Sequence, residues 1–190
     1  EIEKLGVQVG DYVFIKRAGE VIPKIISVVP DQNNSWNSYE KITTPISCPF
    51  CSSQLQKDDD KVRLYCPNSD TCEEQIKQRL IYAVGKWGFN IDGFGKKQAE
   101  RFLQEWFITD IASIFELKQY RDDILSLEWF QEKSTDKLMR AIEDKKNTTI
   151  TILLTALQIS GVGKKVASIL SQLFVTSEDL LNFEVTAEQI

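Results

Sequence analysis

The sequence has 190 residues and a net charge of −5, with 42% hydrophobic residues, 27% charged residues and no histidine. This length allows one domain or two small ones, and the hydrophobic content is sufficient for a packed core. The lack of histidine excludes Ser-His nucleophile pairs, imidazole acid–base catalysis and zinc sites with mixed cysteine and histidine ligands. No apolar run could span a membrane and no signal peptide is recognisable, so we expect a cytoplasmic protein.

The first segment, 1–41, is predicted to form a β-hairpin followed by a linker. Its β-branched and aromatic residues indicate strands at 12–16 and 21–29, joined by a turn at 17–20. Because two strands do not make a stable sheet alone, we expect this hairpin to belong to a larger β-domain and the chain to be a fragment. The polar, asparagine-rich run 31–41 is predicted to be a loop or linker.

The four cysteines of the chain fall into two pairs on either side of a short polar hairpin: Cys48 and Cys51, then Cys66 and Cys72. Two cysteine turns can deliver four soft ligands in a tetrahedral arrangement. This predicts a structural zinc site in which thiolates fill every position. An even number of cysteines also fits disulfides, but a cytoplasmic location favours the metal. The acidic run 58–60, at the tip of the hairpin, is expected to be solvated surface.

From residue 76 onward the apolar residues recur at helical spacing. Two short glycine connections, 92–97 and 160–165, lie between helical stripes and share the pattern Gly-apolar-Gly-Lys-Lys, which makes them an internal repeat. The stretch 75–101 also carries six basic residues against two acidic ones. A local basic face of this kind can bind phosphate even though the whole chain is acidic.

A third, altered copy lies between the two, with Trp129 and Gln131 in place of the glycines. Without glycine this turn is not expected to present its amides to a phosphate, so we interpret it as a packing copy. The aromatic residues of the helical stripes, including Trp87, Phe102 and Trp106, are expected to lie in the core.

Two glycines around one apolar residue allow a sharp turn with outward-facing N–H groups, and the following helix adds the positive end of its dipole. This is the helix-hairpin-helix motif, which binds a backbone phosphate and does not read bases. A single Gly-x-Gly between helices is more often only a turn, and the second copy with the same lysines is what favours binding. The candidate DNA-binding residues of the two copies are Gly93, Gly95, Lys96, Lys97, Gly161, Gly163, Lys164 and Lys165.

Several stretches, in order, resemble the bacterial NAD-dependent DNA ligases. Arg-Ala-Gly-Glu-Val-Ile-Pro at 17–23 resembles the signature hairpin of the OB-fold domain of this family, and the cysteine spacing resembles its zinc finger. Asn-Ile-Asp-Gly-Phe-Gly at 90–95 is similar to its first helix-hairpin-helix, and Gly-Val-Gly at 161–163 to its third. The implied fold is mostly α with a small β part. The implied domains are the end of an OB-fold with a linker at 1–41, a zinc finger at 42–75 and a helix-hairpin-helix domain at 76–190, cut short before a fourth hairpin.

The resemblance implies an enzyme that seals nicks in duplex DNA during replication and repair, with NAD and magnesium ion as cofactors and a structural zinc ion. The family is adenylated on a lysine in a Lys-x-Asp-Gly motif, which this sequence does not contain. We therefore expect no catalytic residue here and no activity of this chain alone, with the nucleotidyltransferase domain elsewhere in the same polypeptide. Arg17, in the OB-fold hairpin, is expected to contact a phosphate or nucleotide on the nick side, or to be a solvated strand-end arginine.

The expected partner is duplex or nicked DNA, bound by a monomer that associates with the nucleoid and not with a membrane. The alternative hypothesis is a free-standing, non-enzymatic DNA-binding or scaffold module that has kept the zinc and hairpin units.

Overall fold

The computed structural model describes residues 2–18, 22–30, 40–57, 63–174 and 176–182. The described chain divides into two compact units. The first comprises Glu1–Cys48 and Gln54–Tyr65, and the second comprises Pro49–Ser53 and Cys66–Ile190. Four features of the sequence interpretation lie outside the described residues: the turn residues 19–20, most of the linker at 31–39, the acidic run 58–60 and the terminal run 183–190.

The first unit contains a short helix and three two-stranded antiparallel sheets, which pair β1 with β4, β2 with β3 and β5 with β6. Its elements are α1 (Ile2–Leu5), β1 (Gln8–Val9), β2 (Val13–Ala18), β3 (Ile22–Val28), β4 (Glu40–Lys41), β5 (Gln56–Lys57) and β6 (Leu64–Tyr65).

The ladder of β2 and β3 agrees with the predicted hairpin but extends further along the chain. Arg17 pairs with Pro23 and lies inside β2, so the prediction of a turn beginning at residue 17 was wrong. The linker prediction was also wrong for Glu40 and Lys41, which pair with β1. A ladder is formed by backbone N–H and C=O groups, which every residue except proline carries, so a polar segment can join it.

Neighbouring residues of β2 are both exposed, with Phe14 at 57% and Ile15 at 61%. Since successive side chains of a strand lie on opposite faces, the β2–β3 sheet buries neither face completely within the described chain. The expectation that it belongs to a larger β-domain stays a prediction.

The second unit is helical. Its elements are α2 (Glu73–Val84), α3 (Lys96–Gln104), a 3₁₀ segment (Ser113–Tyr120), α4 (Arg121–Ser126), α5 (Glu132–Asp144), α6 (Ile150–Ala156), α7 (Lys164–Leu170) and α8 (Ser177–Leu181). Neighbouring helices pack in pairs, α2 with α3, α4 with α5 and α6 with α7. None of the described helices is both long and apolar enough to cross a membrane.

Phe102 lies at the centre of the helical core and is fully buried. Its ring meets those of Phe94, Phe107 and Phe130 at centroid distances of 5.5, 6.1 and 5.3 Å. Burying one phenylalanine side chain stabilises a fold by about 1.5–3 kcal/mol, so this aromatic group contributes strongly to the unit.

Two of the three aromatic residues predicted for the core are instead on the surface, since Trp87 is 67% exposed and Trp106 is 75% exposed. Helix α2 ends at Val84, so the helical period does not continue to Trp87. Trp106 follows the end of α3 and has φ +60°, in the left-handed conformation that ends helices. When the helical spacing is extended past the last residue of a helix, it predicts burial for side chains that are in fact exposed.

Candidate metal centre and nucleic-acid interface

The sulfur atoms of the four cysteines lie within 4.8 Å of one another. Cys48 and Cys72 are buried, and Cys51 and Cys66 are half-buried. The Sγ atoms of Cys51 and Cys66 are 3.6 Å apart, which excludes a disulfide of about 2.05 Å. A tetrahedral site with Zn–S distances of about 2.3 Å has S–S edges of about 3.8 Å, so the spacing fits zinc.

The polar groups around the second cysteine pair attach it to the start of α2. The Gln75 side chain donates hydrogen bonds to the backbone oxygens of Cys66, at 3.2 Å, and Asn68, at 3.1 Å. The Asn68 side chain donates in turn to Ser53 Oγ at 3.2 Å. Cys72 is the N-cap residue of α2. Four thiolates leave no open position, so the group suits a structural metal and not a catalytic one.

Three connections in the second unit share one backbone shape. We name them hairpin 1 (91–95, before α3), hairpin 2 (127–131, before α5) and hairpin 3 (159–163, before α7). The third residue of each has a left-handed φ, which is +78° at Gly93, +77° at Trp129 and +81° at Gly161. The fifth residue of each is the N-cap of the following helix and has an extended conformation.

The three hairpins also share one backbone hydrogen bond. In each hairpin the N–H of the fourth residue, which is apolar, donates to the carbonyl oxygen of the first residue. The distances are 3.1 Å from Phe94 to Ile91, 3.3 Å from Phe130 to Leu127 and 2.9 Å from Val162 to Ile159. Hairpin 2 therefore makes the same turn without glycine. The interpretation of hairpin 2 as a packing copy that presents no amides to a phosphate stays a prediction. Whether any hairpin binds phosphate stays a prediction.

Three of the four glycines of hairpins 1 and 3 border open space. A Cβ atom added to Gly93, Gly161 or Gly163 would meet no heavy atom within 4 Å. Packing therefore does not require glycine at these positions, although the positive φ of Gly93 and Gly161 does favour it. The backbone there is accessible to a ligand.

The N-cap amides differ between the hairpins. The Gly95 N–H donates to Gln98 Oε1 at 3.2 Å, and the Gln131 N–H donates to Ser134 Oγ at 3.3 Å. Hairpin 3 has Val166 at the corresponding place, so within the described residues no such side-chain acceptor caps Gly163. Hairpin 3 thus leaves its amide open, whereas a phosphate at hairpin 1 would compete with Gln98.

The predicted lysines are exposed at the starts of α3 and α7. Lys96 lies 3.8 Å from Glu100. Lys97, Lys164 and Lys165 have no ion pair in the part of the chain that the structure describes. These three ammonium groups are available to an anionic ligand.

Lys137 of α5 forms an ion pair with Asp92 beside hairpin 1, with Nζ 2.7 Å from Oδ2. The hydrogen bond and then the charge of Lys137 lower the pKa of Asp92. Because the pKa is lowered in the fold, the contribution of this pair is present at neutral pH and is lost as pH falls through the lowered value. Both side chains are about 70% exposed, so the effect on stability is small. The pair does neutralise a carboxylate next to Gly93.

Arg17 lies in β2 of the first unit and is exposed, whereas all the other candidate DNA contacts belong to the second unit. The sequence interpretation missed Lys137 as a neighbour of hairpin 1, because no local pattern joins residues 45 positions apart. It also missed Trp129 as a surface residue. The sequence signal that could have indicated its exposure is that Trp129 replaces the glycine of the other two copies, and in those copies the glycine borders solvent.

Comparisons with known proteins show which proteins this chain resembles. Residues 1–37 match the model of the NAD-dependent DNA ligase OB-fold domain. The chain is 37% identical over 185 residues to a DNA ligase of Endomicrobium trichonymphae, an alignment that covers 97% of this chain and 26% of that protein. It is 42% identical over 174 residues to a DNA ligase of Campylobacter lari, covering 92% of this chain and 26% of that protein. The chain belongs to the bacterial NAD-dependent DNA ligase family.

A DNA ligase of Thermodesulfovibrio yellowstonii is 37% identical over 190 residues, which is 100% of this chain and 27% of that protein. The chain thus spans about a quarter of the length of the curated ligases that it matches. Its matched part includes the OB-fold residues, the cysteine cluster and the helices that carry the three hairpins.

Proposed function

We propose that this chain is the region of an NAD-dependent DNA ligase that grips duplex DNA while the enzyme seals a nick. The observation that carries the proposal is the geometry of hairpins 1 and 3, where exposed glycines precede helices that begin with two lysines. Exposed amides, helix dipoles and unpaired ammonium groups are the features that bind backbone phosphate. The similarity to named DNA ligases favours this function over a free-standing binding module.

The same geometry implies binding without base specificity. The two helix-hairpin-helix units present backbone amides and lysines, none of which distinguishes one base from another. Binding should therefore depend on salt, because each phosphate contact releases condensed counterions. We propose Arg17 as a further contact on the nick side, with a cytoplasmic monomer bound to chromosomal DNA as the working form.

We also propose that Cys48, Cys51, Cys66 and Cys72 hold a structural zinc ion. The ion would cross-link two separate turns of the chain through four thiolates and would take no part in the reaction. NAD and magnesium ion belong to the reaction of the whole ligase. Since this sequence lacks Lys-x-Asp-Gly, we place the adenylated lysine in the nucleotidyltransferase domain.

The binding proposal can be tested by fluorescence anisotropy with nicked and intact duplex at several salt concentrations. We expect affinity to fall as salt rises, with each lost phosphate contact reducing the slope of log K against log salt by about 0.9. The double variant K164Q/K165Q should bind more weakly and with a smaller slope. The matched control is K145Q/K146Q, which removes two adjacent lysines directly after α5. An affinity independent of salt, or equal losses in both variants, would contradict the proposal.

A second variant tests the role of the hairpin backbone without changing charge. Gly163→Gln introduces the residue that hairpin 2 carries at this place, at a φ of −79° that any residue can adopt. Its Cβ meets no neighbour, so thermal stability should be unchanged. DNA affinity should fall several-fold, because the new side chain blocks access to the open amide. Unchanged affinity would show that hairpin 3 does not contact DNA.

A further inference from the structure

Trp129 occupies a backbone position that its two sister hairpins give to glycine. Its φ of +77° matches those of Gly93 and Gly161, and it is a conformation that bulky L-residues adopt only at a cost in free energy. A glycine would make the same turn without that cost. The turn itself therefore does not explain the tryptophan.

Packing does not explain Trp129 either. Its side chain is 89% exposed, which is the highest value among the large apolar side chains that the structure describes. The neighbouring Phe130 packs on Phe102 with a centroid distance of 5.3 Å and anchors the hairpin. For Trp129 the described chain shows no ring pair and no cation above the ring. The indole contributes no contact to the fold within the described chain, and it is available to another molecule.

The equivalence of the three hairpins indicates where this indole lies. With matching backbone angles, the Cβ of Trp129 leaves its turn in the direction that is open at Gly93 and Gly161. In hairpins 1 and 3 this open space leaves the backbone accessible to a ligand. In hairpin 2 the indole extends into the corresponding space.

Hairpin 2 also differs from hairpins 1 and 3 in the charge of the residue that follows it. The first residue of α5 is the acidic Glu132, whereas α3 and α7 each begin with a lysine. The N-cap amide of Gln131 is already bonded to Ser134. Hairpin 2 is therefore a poor phosphate socket. It does keep the second lysine of the pattern, since Lys133 corresponds to Lys97 and Lys165 and is likewise exposed.

We propose that hairpin 2 is a third DNA contact, in which the Trp129 indole lies against the sugar or base of a nucleotide and Lys133 pairs with a neighbouring phosphate. This rests on the DNA-binding function proposed above. Tryptophan offers a flat apolar face that suits deoxyribose and bases of any sequence, and such a contact does not depend on salt. The lysine and amide contacts proposed for hairpins 1 and 3, by contrast, should weaken as salt rises.

The test is anisotropy with nicked duplex, comparing the wild-type chain with Trp129→Gly. The variant restores the glycine of the sister hairpins, so its melting temperature should be equal or higher. We expect about tenfold weaker binding, in the range of lost aromatic contacts to nucleotides, with the slope against salt unchanged. Trp129→Asn, which also tolerates a positive φ, should behave in the same way. Lys133→Gln should instead reduce the slope by about 0.9.

Trp106→Gly is the matched control, because Trp106 is also an exposed tryptophan at a positive φ, outside the three hairpins. Its replacement should leave DNA affinity unchanged. If the wild-type chain does not bind DNA, the proposed function fails and this inference fails with it. If the wild-type chain binds and Trp129→Gly binds equally or more tightly, only the inference about Trp129 is overturned. A loss in Trp106→Gly as large as in Trp129→Gly would also overturn it.

Discussion

Thr135 is fully buried at a place where the other two hairpin helices carry alanine. Ala99, Thr135 and Ala167 each follow the N-cap residue by four positions and donate their N–H to its carbonyl oxygen. Within the described chain, the Thr135 hydroxyl has no hydrogen-bond partner. A buried polar group without a partner costs about 1–3 kcal/mol, so this residue weakens the helical core.

Replacing Thr135 with valine should stabilise the protein, because valine keeps the volume and removes the unpaired hydroxyl. We expect the free energy of unfolding in urea to rise by about 1 kcal/mol. Thr149→Val is the matched control. The hydroxyl of Thr149 caps α6 by accepting from the Ile152 N–H at 3.3 Å, so its loss should lower the free energy of unfolding by about 1 kcal/mol. A clear destabilisation in Thr135→Val would show that its hydroxyl is paired.

At the scale of elements, the cysteine cluster and the helical core are built from different residues. The buried cluster of the second unit contains apolar residues of α2, α3, α5, α6 and the segments between them, and none of the four cysteines. Cys72 meets this part of the chain as the N-cap of α2. The metal site should therefore order the cysteine turns without being needed for the helices.

Metal removal tests this separation. We expect about one zinc per chain, released by thiol modification and captured by a chromophoric chelator. After removal, the circular dichroism signal of the helices should largely remain, while hydrogen exchange should quicken at 48–51 and 66–72. Loss of most of the helical signal would show that the metal site is part of the helical core. A preparation without zinc, with four titratable thiols and a folded chain, would count against the zinc proposal itself.

At the scale of the whole molecule, the proposed DNA binding and the proposed ligase reaction would depend on different groups. This chain contains the cysteine cluster, the three hairpins and OB-fold residues, but no Lys-x-Asp-Gly. The roles proposed for its residues are DNA binding and a structural metal site. The proposed reaction of the ligase therefore needs groups that are not among these 190 residues.

Incubation with NAD labelled in the adenylate part checks this division of tasks. We expect no covalent AMP on the chain, with or without magnesium ion and nicked DNA, whereas a DNA ligase that contains the motif should be labelled under the same conditions. A stable adduct on any lysine of this chain would refute the prediction.

Several features of the fold and of the candidate site could be predicted from short stretches of the sequence. The cysteine spacing predicted four thiols in one cluster, and Gly-apolar-Gly before a helical stripe predicted the positions of hairpins 1 and 3. Both inferences rest on short-range rules, in which ligand spacing, glycine and helical period act within about 20 residues. The same rules failed where an element ended, as they did at Trp87, Trp106 and Arg17.

The sequence by itself determined the family and the four cysteines that could hold a metal, because these depend on residue types at fixed spacing. Only the tertiary structure decided that hairpin 2 makes the same turn as its glycine-containing sisters and leaves Trp129 exposed. It also placed Lys137 on Asp92 and buried the Thr135 hydroxyl without a partner. These outcomes depend on which surfaces the packed helices cover, and side-chain packing joins residues that are distant in the chain.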